Sequence, residues 1–252
     1  MMTWTIGLPV LRVVLVGLTC TSAWLLTRTV DGAVPFPPPS LLACAAMLPV
    51  NILCLALIAR RLRGTGRRLR DLMDFSARRL GVDVLWGLVW LVVLYLPFTA
   101  TIMLVVWLQH GADMFAAMET IFFDPAAVPQ LPPLAWTVIA VVAVLTFAPL
   151  NAPAEELVYR GISQRGLAER VPVWAAIVIP SSLFALQHIW YAPTPDAVSV
   201  FVAAFFVWGV VSGIIYRLHG RLIPIIVAHF LVDLVMSLPA LMIPFFVFTE
   251  GA

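Results

Sequence analysis

Three short groups of ionisable residues lie between apolar segments in the second half of this chain of 252 residues. They consist of carboxylates, imidazoles and one guanidinium: Glu155, Glu156, Arg160, His188, His229 and Asp233. Burying such groups in apolar surroundings is costly, so their presence indicates a functional site. Carboxylates and imidazoles are also the side chains with which proteins activate water, either directly or through a bound metal ion.

The spacing within the first group predicts different roles for its two glutamates. Glu156 and Arg160 are four residues apart with the acid first, which is the favourable order for an ion pair on one helix face. Glu155 is rotated from Glu156 by about 100° on a helix, so we expect Glu156 to be structural and Glu155 to be free for chemistry. Asn151 and Pro153 predict that a helix starts here, with Asn151 as its cap. An ordinary ion pair at an exposed helix start is the alternative.

The two histidines differ in their surroundings. His188 ends an apolar helix, where a histidine that only packs against its neighbours is the simpler interpretation. His229 and Asp233 are four residues apart and therefore share a helix face, where the acid can orient the imidazole and raise its basicity. Two ionisable groups on one face of a membrane span favour a functional interpretation.

These residues could activate water in two ways. Glu155 could act as a general base, with His188 sharing or orienting the proton. His229 and a protonated Asp233 would then donate hydrogen bonds to an oxyanion. Alternatively, Glu155, His188 and His229 could ligate zinc and lower the pKa of a bound water molecule. The spacing leaves both mechanisms open.

The elements that must position these groups are membrane-spanning helices. Hydrophobic residues make up 62% of the chain and charged residues 11%, against roughly 25% charged residues in an ordinary soluble domain. The mean hydropathy is +1.03. A soluble core could not bury so much apolar surface, so the composition excludes a soluble globule, a disordered chain and a nucleic-acid binder.

Stretches of about 20 mostly apolar residues, long enough to cross a bilayer, recur along the chain. The candidates are residues 5–27, 41–59, 84–108, 134–150, 173–190, 197–216 and 222–247. We therefore predict an all-α polytopic transmembrane helix bundle of about seven spans, between six and eight, with the catalytic cluster on the C-terminal helices. Eight arginines from Arg60 to Arg79 place that loop and the N-terminus in the cytoplasm. The loop could also bind anionic lipid headgroups, or serve only to orient the chain.

This simple topology separates groups that must meet. It places Glu155 near the cytoplasmic face and His188 about 15 residues along the next span, or roughly 22 Å of helix. A functional site therefore requires either that the helix of Glu155 dips into the bilayer or that the predicted helix boundaries are wrong by a turn or more. We expect Glu155, His188 and His229 to converge there within hydrogen-bond or one-water distance.

In their order and spacing these motifs resemble the CPBP family of CAAX-protease and bacteriocin-processing membrane proteins, also called the Abi family, to which CAAX prenyl protease 2 is related. The family pattern EExxxR, FxxxH and HxxxN or HxxxD reads here as Glu155, Glu156, Arg160, Phe184, His188, His229 and Asp233. The resemblance covers roughly residues 134–235. It suggests N-terminal spans over residues 1–130, with the basic loop 60–79, and a catalytic core over residues 131–252.

The resemblance implies an intramembrane endopeptidase, in a bacterial plasma membrane, that hydrolyses a peptide bond in a membrane-associated protein or peptide. It implies glutamate-dependent chemistry with no required cofactor, zinc being the alternative. Glu155 would activate water with His188, and His229 with residue 233 would stabilise the oxyanion. Prenylated CAAX substrates are not expected, and the oligomeric state is left open.

Asp233 stands where the prenyl-protease branch of the family has asparagine. An ionised aspartate cannot donate a hydrogen bond to an oxyanion. Asp233 is therefore protonated, or orients His229, or supports a metal ion.

A different class of protein is the alternative interpretation, namely a non-catalytic membrane immunity or scaffold protein that binds peptides or partner proteins. A rhomboid-type site at Ser212 and Gly213 is less favoured, because Val210 stands where the GxSG pattern needs glycine. A transporter is less favoured because no inverted repeat is visible.

Overall fold

The computed structural model describes residues 2–30, 36–38, 40–122 and 129–238, and within them the chain forms helices and no strands. The helices are α1 (Met2–Arg28), α2 (Ser40–Arg63), α3 (Leu69–Leu72), α4 (Leu80–His110), α5 (Met114–Ile121), α6 (Pro133–Glu156), α7 (Arg165–Ala168), α8 (Val173–Gln187), α9 (Ala197–His219) and α10 (Ile223–Ser237). Single-turn helices lie at Ala77–Arg79, Gly111–Asp113 and His188–Tyr191, and a π-helical segment at Leu157–Gln164 joins α6 to α7.

Six helical segments in the described part of the chain are long and apolar enough to cross a membrane: Thr3–Arg28, Ser40–Arg63, Ala77–Ile121, Pro133–Ala168, Val173–Tyr191 and Ala197–His219. The shorter apolar helix α10 occupies the start of the predicted span 222–247, and residues 239–247 of that span lie outside the described residues. Large side chains such as Leu85, Leu96 and Leu145 are 64–68% exposed, as lipid-facing residues would be. The predicted all-α polytopic bundle is confirmed.

The expected helix start at Asn151 is wrong. Helix α6 begins at Pro133 and continues through Asn151 and Pro153 to Glu156, and the π-helical segment and α7 prolong it to Ala168. In lipid each backbone group must find its partner within the helix, so a polar residue and a proline that would end a soluble helix are carried inside a membrane helix. Asn151 uses its side chain for tertiary hydrogen bonds instead of capping.

The continuity of this helix removes the predicted separation between Glu155 and His188. Glu155 lies about 13 residues before the helical segment ends at Ala168, or roughly 20 Å of helix. His188 lies about 15 residues beyond the start of α8 at Val173, or roughly 22 Å. Because the two segments run in opposite directions from the short turn between them, both groups lie at a similar depth in the bundle.

Two polar contacts show which loops share an end of the bundle. At one end, Nε and Nη2 of Arg221, just before α10, donate to the carboxylate of Asp83 near the start of α4 at 2.9 and 2.6 Å. This hydrogen bonding to Asp83 raises the pKa of the Arg221 guanidinium. At the other end, Gln109 donates to the hydroxyl of Ser199 at 2.8 Å. Successive loops along the chain therefore lie at opposite ends of the bundle. That the first of these ends faces the cytoplasm stays a prediction.

Candidate active site

Glu155 is held by one carboxylate oxygen only. Its Oε1 accepts hydrogen bonds from Nη2 of Arg12 and from Nε2 of Gln187, each at 2.8 Å. Its Oε2 has no hydrogen-bond partner among the described residues and lies 3.6 Å from Nε2 of His229. The sequence predicts a Glu155 that is free for chemistry, and the structure leaves one of its two oxygens free.

Glu156 forms the predicted ion pair with Arg160, at 3.4 Å between Oε1 and Nη1. Both side chains are at most 2% exposed, which rules out the alternative of an exposed ion pair. Arg160 lies in the π-helical segment, a type of distortion that is frequent at functional sites. Its guanidinium also donates to the carbonyl of Gly209 and the hydroxyl of Ser212, which ties this segment to α9.

The imidazole of His229 lies between three carboxylates. Its Nδ1 is 2.9 Å from Oε1 of Glu156. Since an ionised carboxylate can only accept, Nδ1 carries the proton in this bond. Its Nε2 is 3.6 Å from Oε2 of Glu155 and 3.6 Å from Oδ1 of Asp233. His229 therefore lies between the two glutamates. Glu156, for which a structural role is predicted, bonds to Nδ1, and Glu155, for which a chemical role is predicted, faces Nε2.

Asp233 lies beside His229, as the spacing of four residues predicts. Its second oxygen, Oδ2, accepts a hydrogen bond from Nδ2 of Asn151 at 3.2 Å. Asp233 is therefore held by Asn151 and lies next to the imidazole of His229 without a direct hydrogen bond to it.

His188 joins the cluster through aromatic rings. Its Nδ1 is 2.6 Å from the carbonyl oxygen of Phe184, and its ring stacks on Phe205 with centroids 3.5 Å apart. The ring of Phe184 lies 4.7 Å from that of His188 and 6.1 Å from that of His229. Within the described part of the chain, no hydrogen bond joins His188 to Glu155. The bond to Phe184 uses Nδ1 as a donor, which leaves Nε2 as the nitrogen available for chemistry.

The residues expected as alternative zinc ligands do not fit a zinc site in this arrangement. Among the described residues, no group of three or more His, Cys, Asp or Glu side chains is placed to hold a metal ion. Oε1 of Glu155 accepts a hydrogen bond from Nη2 of Arg12 at 2.8 Å, so a divalent ion bound at this carboxylate would be repelled by a neighbouring cation.

The polar side chains that surround Glu155 were not predicted from the sequence. Arg12 of α1 and Asn51 of α2 are both fully buried, and Gln187 precedes His188 at the end of α8. A signal for them exists, because Arg12 is the only charged residue in the apolar run 5–27 and an arginine within a span is rare. The two N-terminal helices thus contribute side chains to the site.

The part of the chain that carries these motifs matches a known protein family. The model of that family, described as type II CAAX prenyl endopeptidase Rce1-like, matches residues 133–235. This segment is Rce1-like. No curated protein and no solved structure matches the chain.

The Rce1-like segment confirms the resemblance to the CPBP family that the motifs indicate. It runs from α6 into α10 and contains the predicted site residues Glu155, Glu156, Arg160, His188, His229 and Asp233. The apolar helical bundle and the Rce1-like segment within it support an integral membrane protein. Arg12 and Asn51 lie outside this segment.

Replacing Arg160 by methionine is expected to lower the free energy of unfolding by about 3–5 kcal/mol, because Glu156 then stays buried without its cation. Arg70 provides a matched control, since its pair with Asp71 is exposed on both sides. Arg70→Met is expected to leave stability unchanged. Thermal unfolding of the purified proteins in detergent micelles measures both, and equal midpoints for the two variants would contradict the buried ion pair.

Proposed function

We propose that the protein is an intramembrane endopeptidase that hydrolyses a peptide bond in a membrane-associated protein or peptide. One observation carries the proposal: within an Rce1-like segment, Oε2 of Glu155 has no hydrogen-bond partner among the described residues and faces Nε2 of His229 at 3.6 Å inside the bundle. A carboxylate oxygen without a partner can take a proton from water, and a neighbouring imidazole can supply a hydrogen bond to the developing charge.

In the proposed reaction, a water molecule bound at Oε2 of Glu155 attacks the carbonyl carbon of the scissile peptide bond. Glu155 takes one proton from this water as the carbon–oxygen bond forms, and the carbonyl oxygen becomes an oxyanion. The proton then passes from Glu155 to the peptide nitrogen as the carbon–nitrogen bond breaks. The products are a new carboxyl group and a new amine. His188 would orient the water or share its proton through Nε2.

The charges of the buried cluster indicate how His229 could stabilise the oxyanion. Three carboxylates lie in the cluster, at Glu155, Glu156 and Asp233, and the guanidinium groups of Arg12 and Arg160 face them. A net negative charge is costly inside a membrane protein, so we expect one further proton to balance it. Shared between His229 and Asp233, this proton lets Nε2 of His229 donate to the oxyanion. The proposed hydrolysis needs no metal ion.

A second candidate function is supported by the closure of the site. Glu155, His188 and His229 are at most 6% exposed, so a peptide could reach them only after the bundle opens. In a non-catalytic immunity or scaffold protein, the same polar cluster would hold the helices together, and a partner would bind elsewhere on the bundle.

Replacing Asp233 by asparagine is expected to keep kcat within about tenfold of the wild-type value. Asparagine keeps an acceptor for Asn151, and its amide can donate where a carboxylate cannot. Asp233→Leu leaves neither a hydrogen-bond acceptor nor a donor at this position and is expected to lower kcat by about 10²-fold. Steady-state kinetics on purified protein in vesicles compares the two. If the asparagine variant loses as much activity as the leucine variant, the carboxylate charge itself is required.

Comparing membrane peptides between cells distinguishes the two candidate functions. Cells would carry either the wild-type protein or Glu155→Ala at the same level, and mass spectrometry of membrane fractions would identify new peptide termini. An endopeptidase predicts a set of termini that is lost in the Glu155→Ala cells. Identical termini together with an unchanged cellular phenotype would support the scaffold function and contradict proteolysis.

A further inference from the structure

Arg12 is a fully buried arginine in the middle of the first membrane helix. Its guanidinium makes hydrogen bonds to side chains of three other helices, at distances of 2.8–3.1 Å: Asn51 on α2, Asn151 and Glu155 on α6, and Gln187 on α8. A charge buried in a membrane helix is expensive, so it is retained only where it serves a function or an essential contact. Arg12 lies outside the Rce1-like segment, which covers residues 133–235.

The partners of Arg12 fix the orientation of Gln187. Oε1 of Gln187 accepts from Nε of Arg12 at 3.1 Å and from the hydroxyl of Tyr159 at 2.9 Å. Two donors on this oxygen leave the amide group of Gln187 to donate to Glu155. Arg12 therefore acts on Glu155 both directly and through the orientation of Gln187.

The two contacts fall on the same oxygen of Glu155. Oε1 accepts from both Arg12 and Gln187, whereas Oε2 is left without a partner among the described residues and faces His229. This asymmetry fixes the rotation of the carboxylate and decides which oxygen can meet a water molecule. Small errors in such positioning are costly, since a misplacement of about 1 Å can lower a rate by about 10²-fold.

We propose that Arg12 is a positioning residue: from the N-terminal helix, it anchors Oε1 of Glu155 and so leaves Oε2 as the oxygen that takes a proton from water. The inference rests on the proposed function. It makes α1 a necessary part of the active site, although this helix lies outside the Rce1-like segment.

The test uses the full-length protein in vesicles of phosphatidylethanolamine and phosphatidylglycerol, with variants Arg12→Gln and Arg12→Lys. Arg28→Gln is the matched control, since Arg28 is an exposed arginine on the same helix, over the ring of Trp24. The first measurement is the infrared band of the Glu155 side chain, identified by its loss in Glu155→Gln. The second measurement determines kcat and KM separately for a peptide that the wild-type protein cleaves. Rates are normalised to the amount of folded protein.

We expect the carboxylate band of Glu155 in the wild-type protein, in Arg28→Gln and in Arg12→Lys, and the band of a protonated carboxyl group in Arg12→Gln. Arg12→Gln is expected to lower kcat by at least about 10²-fold with KM within about twofold. Arg12→Lys keeps the charge but loses the planar fork of donors, so we expect an intermediate kcat, about tenfold below the wild type.

An unchanged carboxylate band and a kcat near the wild-type value in Arg12→Gln would overturn the inference. If this variant does not fold, Arg12→Lys decides, because a lysine variant with wild-type kcat would show that the geometry of the guanidinium is not needed. The infrared bands do not depend on turnover. A wild-type protein that cleaves nothing would therefore refute the proposed function, while the bands would still report whether Arg12 holds Glu155 as a carboxylate.

Discussion

Replacing Glu155 by glutamine is expected to lower kcat by about 10³-fold or more while the protein remains folded. Glutamine has nearly the same size as glutamate, and its carbonyl oxygen can still accept from Arg12, but its amide group cannot take a proton from water. The fold is expected to tolerate the change, because loss of one negative charge can be offset by release of the proton shared between His229 and Asp233.

Turnover of a peptide substrate by purified protein in vesicles measures this effect. Glu169→Gln is the control, since Glu169 is an exposed acid just after α7, and it is expected to leave kcat unchanged. A kcat for Glu155→Gln within about tenfold of the wild-type value would show that Glu155 is not the general base.

Replacing His229 by leucine is expected to lower kcat by about 10²- to 10³-fold with little change in KM. The imidazole is the group whose Nε2 faces Glu155 and Asp233, and its hydrogen bond to the oxyanion would form only as the reaction proceeds. An interaction made only in the transition state affects kcat and not substrate binding.

The matched control for His229 is His219→Leu. His219 lies at the end of α9 against the rings of Trp86 and Trp90, away from the carboxylates of the site. We expect this variant to keep its kcat within about twofold of the wild-type value. If His229→Leu raises KM by the same factor by which the specificity constant falls, with kcat unchanged, the residue binds substrate and does not stabilise the oxyanion.

The helical bundle and two of the contacts within the candidate site could be predicted from the sequence because both depend on local patterns. Each span is a mostly apolar run of about 20 residues, which favours an α-helix in a bilayer because every backbone group then bonds within its own segment. The pairs Glu156–Arg160 and His229–Asp233 follow from a spacing of four residues on one helix. Such contacts do not require knowledge of how the helices pack.

The continuity of the long helix around Glu155 could not be predicted in the same way. Asn151 and Pro153 carry the local signals of a helix start, and in water these signals would compete well with a continuous helix. In the bundle, Asn151 finds its partners in Arg12 and Asp233, and the helix does not need its side chain as a cap. A tertiary contact therefore reversed a local preference, and with it the predicted depth of Glu155.

The contacts of Arg12 were the part of the site that was hardest to predict from the sequence. Arg12 and Glu155 are separated by 143 residues, and no spacing rule connects positions so distant in the chain. The apolar run around Arg12 carries the signal that the residue is unusual, but its partner depends on how α1 packs against α6 and α8. For the same reason, the sequence predicts a Glu155 without partners, whereas Arg12 and Gln187 donate hydrogen bonds to one of its oxygens.

Hydrolysis that depends on Glu155 is the central claim, and isotope labelling tests it most directly. Membranes from cells that carry only Glu155→Gln should contain the uncleaved substrate, and purified wild-type or Glu155→Gln protein would be added to them in water enriched in oxygen-18. We predict new peptide C-termini labelled with oxygen-18 after addition of the wild-type protein and none after addition of Glu155→Gln. The same set of peptides with both proteins would contradict the claim.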